Sequence, residues 1–157
     1  MIILGMDPGT KITGWGVINL SKSKVKHVAH GVIKPKNKDR KSRIWEIFSE
    51  VEQLLLIFKP DVVMLERAYI GFNADTGMSL SELRGALIVA IKRFNQEIPI
   101  YDVAPKLVKS EIVGNGRATK EDVRFAVKKA LHLRNDNMPD DAWDALAIAL
   151  SYQGQIP

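Results

Sequence analysis

The chain has no cysteine. That excludes a disulfide framework, thiol catalysis and cysteine-held zinc or iron–sulfur centres, and it fits a reducing compartment, the cytoplasm. Histidine is scarce: His27, His30 and His132 are dispersed along the sequence, which speaks against a histidine-built zinc site. No stretch reaches the roughly 18 apolar residues needed to cross a bilayer, so no membrane partner is expected. The opening MIILGMDPGTK has neither a basic segment before its apolar run nor a small-residue cleavage site. It reads as a buried strand rather than a secretory signal. Internal repeats and low-complexity tracts are also missing.

What is present is ordinary for a globular protein. The 157 residues suggest a single domain over 1–157, with 46% hydrophobic and 26% charged residues. A chain near this length buries roughly 68–70% of its unfolded surface and needs no staples. Lys and Arg number 23 against 18 Asp and Glu, a net charge of +5. A modest positive excess is compatible with a polyanionic partner and equally with a solvated basic surface.

The apolar pattern gives an element order. Residues 2–6 form a short apolar run that ends in Asp7-Pro8-Gly9, a strand followed by a turn. Residues 13–20 and 25–33 read as two further strands of an antiparallel meander, followed by a basic surface connection, KPKNKDR. From Ser42 the period becomes helical (Ile44, Ile47, Phe48, Val51, Leu55), and Pro60 stops that helix. Residues 62–65 repeat the apolar run, again ending in an acid, Glu66. A helix over 79–95 is apolar on more than one face and is expected to be buried on more than one. A strand over 98–103, a helix over 105–113, a Gly-Asn-Gly loop, a helix opened by Thr119 with Asp122 in a capping-box position, and a last helix from Pro139 to about Tyr152 complete the chain. The order is βββαβαβααα: an α/β fold with a mixed sheet flanked by helices.

The acids carry the chemistry. Read singly, Asp7 is a turn residue and Glu66 an exposed strand end. If their strands are parallel neighbours, both acids reach one sheet edge, where open α/β sheets place ligands. The last helix begins PDDAWDALAIAL, and Asp141 and Asp144, three apart, share a face. Asp140 suits an N-cap. Asp144 lies in an otherwise small and apolar helix that can pack close to a sheet and carry the acid inward. Four converging carboxylates repel one another unless cations intervene. An oxygen-only donor set favours hard ions, Mg²⁺ or Mn²⁺. Two such ions about 3.5–4 Å apart are the machinery of phosphodiester hydrolysis, which needs no protein nucleophile.

The segments LGMDPGTKITGWGVI, MLERAYI, GFNADTGMSLSELRGALIVA, VAPKLVKSEIVGNGRATKEDV and PDDAWDALAIAL together resemble the RuvC family of Holliday junction resolvases. The resemblance runs over nearly the whole chain. It implies an RNase H-like fold with a five-stranded sheet, and a homodimeric, Mg²⁺-dependent endonuclease that nicks two strands of four-way junction DNA symmetrically. The ends left are a 5′-phosphate and a 3′-hydroxyl. By motif, the catalytic and metal-holding acids are Asp7, Glu66, Asp141 and Asp144, with Asp140 an outer neighbour. Tyr69 falls where the family carries an aromatic beside the junction point, suited to stacking on a base; alone it reads as a half-buried loop tyrosine. Lys109 and Lys120 match basic positions that grip phosphates, although their spacing alone suits solvated lysines. Arg67, Arg84 and Arg117 are further DNA-contact candidates. Partnership with the branch-migration proteins RuvA and RuvB is implied by the family only.

Two positions depart from the family pattern. Glu82 stands where Gln is frequent, and Trp143 where a small residue is usual. Trp143 is out of phase with the helix acids and is expected to pack away from them. The alternative reading is another RNase H-like nuclease acting on RNA, the YqgF type. An actin-like ATP-binding fold also opens with a strand and D-x-G-T, but needs two such domains.

Overall fold

The computed structural model describes residues 1–22, 24–67, 74–134 and 137–152. Three strands come first: β1 (Ile2–Asp7), β2 (Thr13–Ser21) and β3 (Lys24–Ile33). Then follow α1 (Arg40–Phe58), β4 (Val62–Glu66), α2 (Ala74–Phe94), β5 (Ile100–Val103), α3 (Pro105–Val113), α4 (Lys120–Ala130) and α5 (Asp140–Leu150). The strands form one five-stranded sheet in the order β3-β2-β1-β4-β5. β1–β2 and β2–β3 are antiparallel, whereas β1–β4 and β4–β5 are parallel. This is the mixed sheet the apolar pattern implied.

Strand alternation divides the interior in two. Ile3, Ile18 and Met64 point to one face and pack with Val108, Val123, Val127, Trp143 and Leu146 of α3–α5. Leu4, Met6, Val17 and Val63 point to the other and pack with Ile47, Val51, Leu55, Leu83, Leu87 and Ile91 of α1 and α2. Each strand of the centre is therefore apolar throughout, because both faces are covered.

Glycine sets the distance between α5 and the sheet. A Cβ at Gly5 would fall on the Ala145 carbonyl oxygen, and one at Gly14 on that of Asp141. Ala142, Ala145 and Ala149 supply the small side chains from the helix, all fully buried. The helix backbone consequently lies against β1 and β2, closer than larger side chains permit.

Some boundaries differ from the periodic pattern. α2 starts at Ala74, five residues before Ser79, with Asp75 in its first turn where the helix dipole favours an acid. β5 starts at Ile100, since Pro99 has no N–H for the ladder and offers only its carbonyl, to Val63. Asp140 is not an N-cap: Pro139 holds that position, and Asp140 is the first helical residue. The second apolar side of α2 is not covered among the described residues, for Met78, Ile88 and Val89 are exposed.

Candidate active site

The register of the sheet brings the first two acids together. Met6 pairs with Leu65, so Asp7 and Glu66 follow as neighbours at the C-terminal ends of two parallel strands. Asp7 also pairs with Gly14 of β2, and Gly14 lies beneath the Asp141 carbonyl. The close approach of α5 thus sets the start of that helix beside Asp7, with Asp144 one turn further on. Asp7, Glu66, Asp141 and Asp144 are all half-buried.

The electrostatics show how near they are. Burial raises the Asp7 carboxyl, and the charges of Asp144 and Asp141 raise it further, while a hydrogen bond with Glu66 pulls it down. Burial, with the charge of Asp7 next, pushes Glu66 up to about 8. Asp144 is raised, mainly by burial; Lys120 opposes this, and Asp141 and Asp140 add to it. Among the described residues no three of these carboxylates are gathered round a single point as metal ligands are. Their donor chemistry nonetheless fits hard divalent cations. All donors are oxygens, and burial together with neighbouring charge holds Asp7, Glu66 and Asp144 towards their protonated forms.

Lys120 is the cation built into this cluster. Its Nζ lies 3.7 Å from Asp144 Oδ2, and its charge acts on Asp7 and Glu66 as well. Position follows from local sequence: Lys120 opens α4, whose start is fixed by the Thr119–Asp122 capping box. Lys109, on α3, shares a cavity of about 280 Å³ with Lys120, Glu66 and Asp144. A second cavity, of about 240 Å³, lies between Asp7, Glu66, Arg67, Leu80 and Arg84. Glu66 lines both cavities, with Asp144 on the lysine-lined side and Asp7 on the arginine-lined side. A larger hollow of about 540 Å³ between Trp15, Pro35 and Trp45 contains none of the four acids.

Other expected site residues are placed differently. Arg84 is turned inward: its guanidinium donates to the Glu66 carbonyl and to Asp102 Oδ1, the latter at 2.6 Å. It braces the strand end that carries Glu66. Arg67 is exposed at the mouth of the cleft, and Arg117 is exposed in the loop before α4. Tyr69 lies outside the described residues. Trp143 is buried, packs in the α3–α5 core and lies beneath Arg124, which also pairs with Asp140. Glu82 pairs with Arg40 at 3.1 Å. Sequence reasoning missed Thr13, which is fully buried; its hydroxyl donates to the Gly9 carbonyl at 2.9 Å and so shapes the turn after Asp7. The signal was the threonine four residues after Gly9.

Comparison with known proteins decides the family. The model of the family "Crossover junction endodeoxyribonuclease RuvC" matches residues 3–152. The chain belongs to the RuvC family. The RuvC of Dictyoglomus thermophilum is 37% identical over 153 residues, covering 97% of this chain and 96% of the relative. That of Thermotoga maritima is 40% identical over 148 residues, covering 94% and 87%. Among solved structures, T. thermophilus RuvC in complex with a Holliday junction substrate superposes with a TM-score of 0.89. It is 30% identical and covers 98% of this chain and 93% of that one. The RuvC match leaves the RNA-directed YqgF reading without support. No helix among the described residues is long and apolar enough to cross a membrane.

Proposed function

We propose that this chain resolves four-way DNA junctions through a metal site made by Asp7, Glu66, Asp141 and Asp144. The observation that carries the reading is the convergence of acids from β1, β4 and α5 on one sheet edge, in a member of a crossover junction endodeoxyribonuclease family. The ions are Mg²⁺, with Mn²⁺ a substitute, two per site. Bound there, they supply an activated water and charge stabilisation for the leaving 3′-oxygen.

The side chains do the rest. Asp7 and Glu66, fixed on adjacent strands, orient the cluster rigidly. Asp144 and Asp141 close it from the helix. Glu66 would hold the ions as a carboxylate, together with Asp7, Asp141 and Asp144. Lys109 and Lys120 take phosphate oxygens beside the cut, and Arg67 takes a phosphate at the cleft mouth. Arg84 acts through Glu66 as a positioning residue, and Arg117 contacts DNA further out. Tyr69 stacks on a base next to the junction point, a contact of roughly 1–3 kcal/mol.

The apolar stripe of Met78, Ile88 and Val89 on α2 pairs with its copy in a homodimer. A two-fold dimer presents equivalent sites to two strands of a two-fold substrate. The chain works as one nuclease domain in the cytoplasm, alongside RuvA and RuvB. The test is cleavage of a synthetic four-way junction in Mg²⁺ against linear duplex and an RNA–DNA hybrid. Preference for the junction is expected; equal or better cutting of the hybrid would overturn the reading.

A further inference from the structure

The positive charge of this chain is concentrated. Residues 34–43, KPKNKDRKSR, contain six cations and one acid, a net +5. The whole chain is also +5, with 23 cations and 18 acids, so all its other residues are neutral as a set. The segment runs from the end of β3 into the first turn of α1, and topology puts it on the catalytic edge. β3 ends at Ile33, which pairs with Thr13, one register step from the Gly14 that pairs with Asp7. Two strand spacings of about 4.8 Å separate β3 from β1, so the segment leaves the sheet roughly 10 Å from Asp7.

Its geometry is built rather than loose. Glu46 accepts from the Lys36 N–H at 2.7 Å and the Asn37 N–H at 3.0 Å. Asp39 caps α1 by accepting from Ser42 N–H at 2.9 Å. Arg43 donates to the Lys38 carbonyl at 2.8 Å. Arg40 reaches Ser79 at 3.2 Å and Glu82 at 3.1 Å, which ties the segment to α2. Ser79 in turn lines a hollow with Asp141. The surface is therefore continuous from the segment to the acids. Lys34, Lys36, Lys38 and Lys41 remain on the outside, all exposed, and none makes a salt bridge among the described residues.

We infer that Lys34, Lys36, Lys38 and Lys41 form a phosphate clamp for a duplex arm of the DNA, outside the catalytic cleft. The inference rests on the junction-resolving reading. Four exposed lysines within eight residues of a braced backbone suit the repeating charges of a duplex better than a single small anion. An offset of about 10 Å corresponds to roughly three base pairs at 3.4 Å each, within one arm.

The test uses the full chain and a synthetic four-way junction, with affinity measured against salt. Replacing all four lysines with alanine should flatten the slope of log affinity on log salt. About 0.9 is lost per phosphate contact, so the loss should lie between about 1.8 and 3.6. Affinity should fall at least tenfold at physiological salt, and the melting temperature should not change. Replacing the same four with arginine keeps the charges and should keep the wild-type slope. An alanine variant with the wild-type slope and affinity would overturn the clamp while leaving the junction reading intact. A wild-type protein that neither binds nor cuts the junction would instead overturn that reading, and the clamp with it.

Discussion

The carboxyl groups of Asp7 and Glu66 share a hydrogen bond across the β1–β4 step of the sheet. Two carboxylates cannot share one without a proton, and burial with the mutual charge favours a proton on this pair, Glu66 being raised to about 8. That proton relieves repulsion among acids that the fold has forced together, as cations bound there would.

This makes stability depend on pH in a defined direction. Glu66 is raised from its ordinary 4.5 to about 8, so its contribution is complete below 4.5 and is lost as pH rises through 8. Asp7 and Asp144 are raised and act in the same sense. Burial lowers His27 and His30, whose contribution is present above 6.5 and lost on acidification, so they oppose the acids only at lower pH. Between pH 6.5 and 8.5 the melting temperature in EDTA should therefore fall. Mg²⁺ should stabilise more at the upper end than at the lower, because binding there displaces less proton. Glu66→Gln should flatten the EDTA curve. A wild-type melting temperature that rises over this window would contradict the assignment.

The seating of α5 can be tested at a residue that carries no chemistry. In Gly14→Val the new side chain falls on the Asp141 carbonyl, so the helix must move off the sheet. Overpacking of this kind costs about 1–3 kcal/mol. Cutting should fall far more than junction binding, since the acids lose register while the outer lysines stay. A thermal melt and single-turnover cleavage on one preparation report both. A variant that is stable and fully active would mean that the helix is not held by this contact.

Much of this arrangement was legible in the sequence. Apolar runs ending in Asp7 and Glu66 showed two covered strands with acids at their ends, and the small residues around Asp144 showed a helix able to lie close to the sheet. The start of α2 was not legible, because Gly77 and the polar residues from Ala74 to Ser79 hide a helical turn within a loop-like composition. Nor was the role of Arg84. Its partners, the Glu66 carbonyl and Asp102, each lie 18 residues away, and nothing local distinguishes a bracing arginine from a DNA-facing one. Asp140 resembled a cap, but Pro139 took that place and left Asp140 free to pair with Arg124.

The apolar stripe on α2 predicts the assembly state. Val89, 54% exposed in the single chain, should lie in the dimer contact together with Met78, 56% exposed. Replacing both with lysine should shift the light-scattering mass from about twice 17.6 kDa to that value, with little change in melting of the monomer. Paired nicking should give way to slow single nicks. A double variant that stays dimeric would place the interface elsewhere.

Lys109 and Lys120 should differ from the acids in what they disturb. Lys109→Ala should flatten the salt dependence of junction binding by about 0.9, the value of one phosphate contact. Lys120→Ala should do the same and also raise the carboxyls of Asp144, Asp7 and Glu66, whose charged forms it favours. Its rate–pH profile in Mg²⁺ should therefore shift to higher pH, whereas that of Lys109→Ala should not. Identical profiles for the two variants would remove Lys120 from the cluster.

The most direct measurement compares Asp144→Asn with Asp140→Asn in single-turnover cleavage of a four-way junction in Mg²⁺, with binding of the same junction followed in Ca²⁺. Both replacements are nearly isosteric, both lie on α5, and both remove one charge. Asp144 faces the acid cluster, while Asp140 is exposed and paired with Arg124. Cleavage by Asp144→Asn should fall by orders of magnitude with junction binding kept or tightened, and Asp140→Asn should cut at close to the wild-type rate. Wild-type cutting by Asp144→Asn, with loss of cutting in Asp140→Asn, would contradict the site described here.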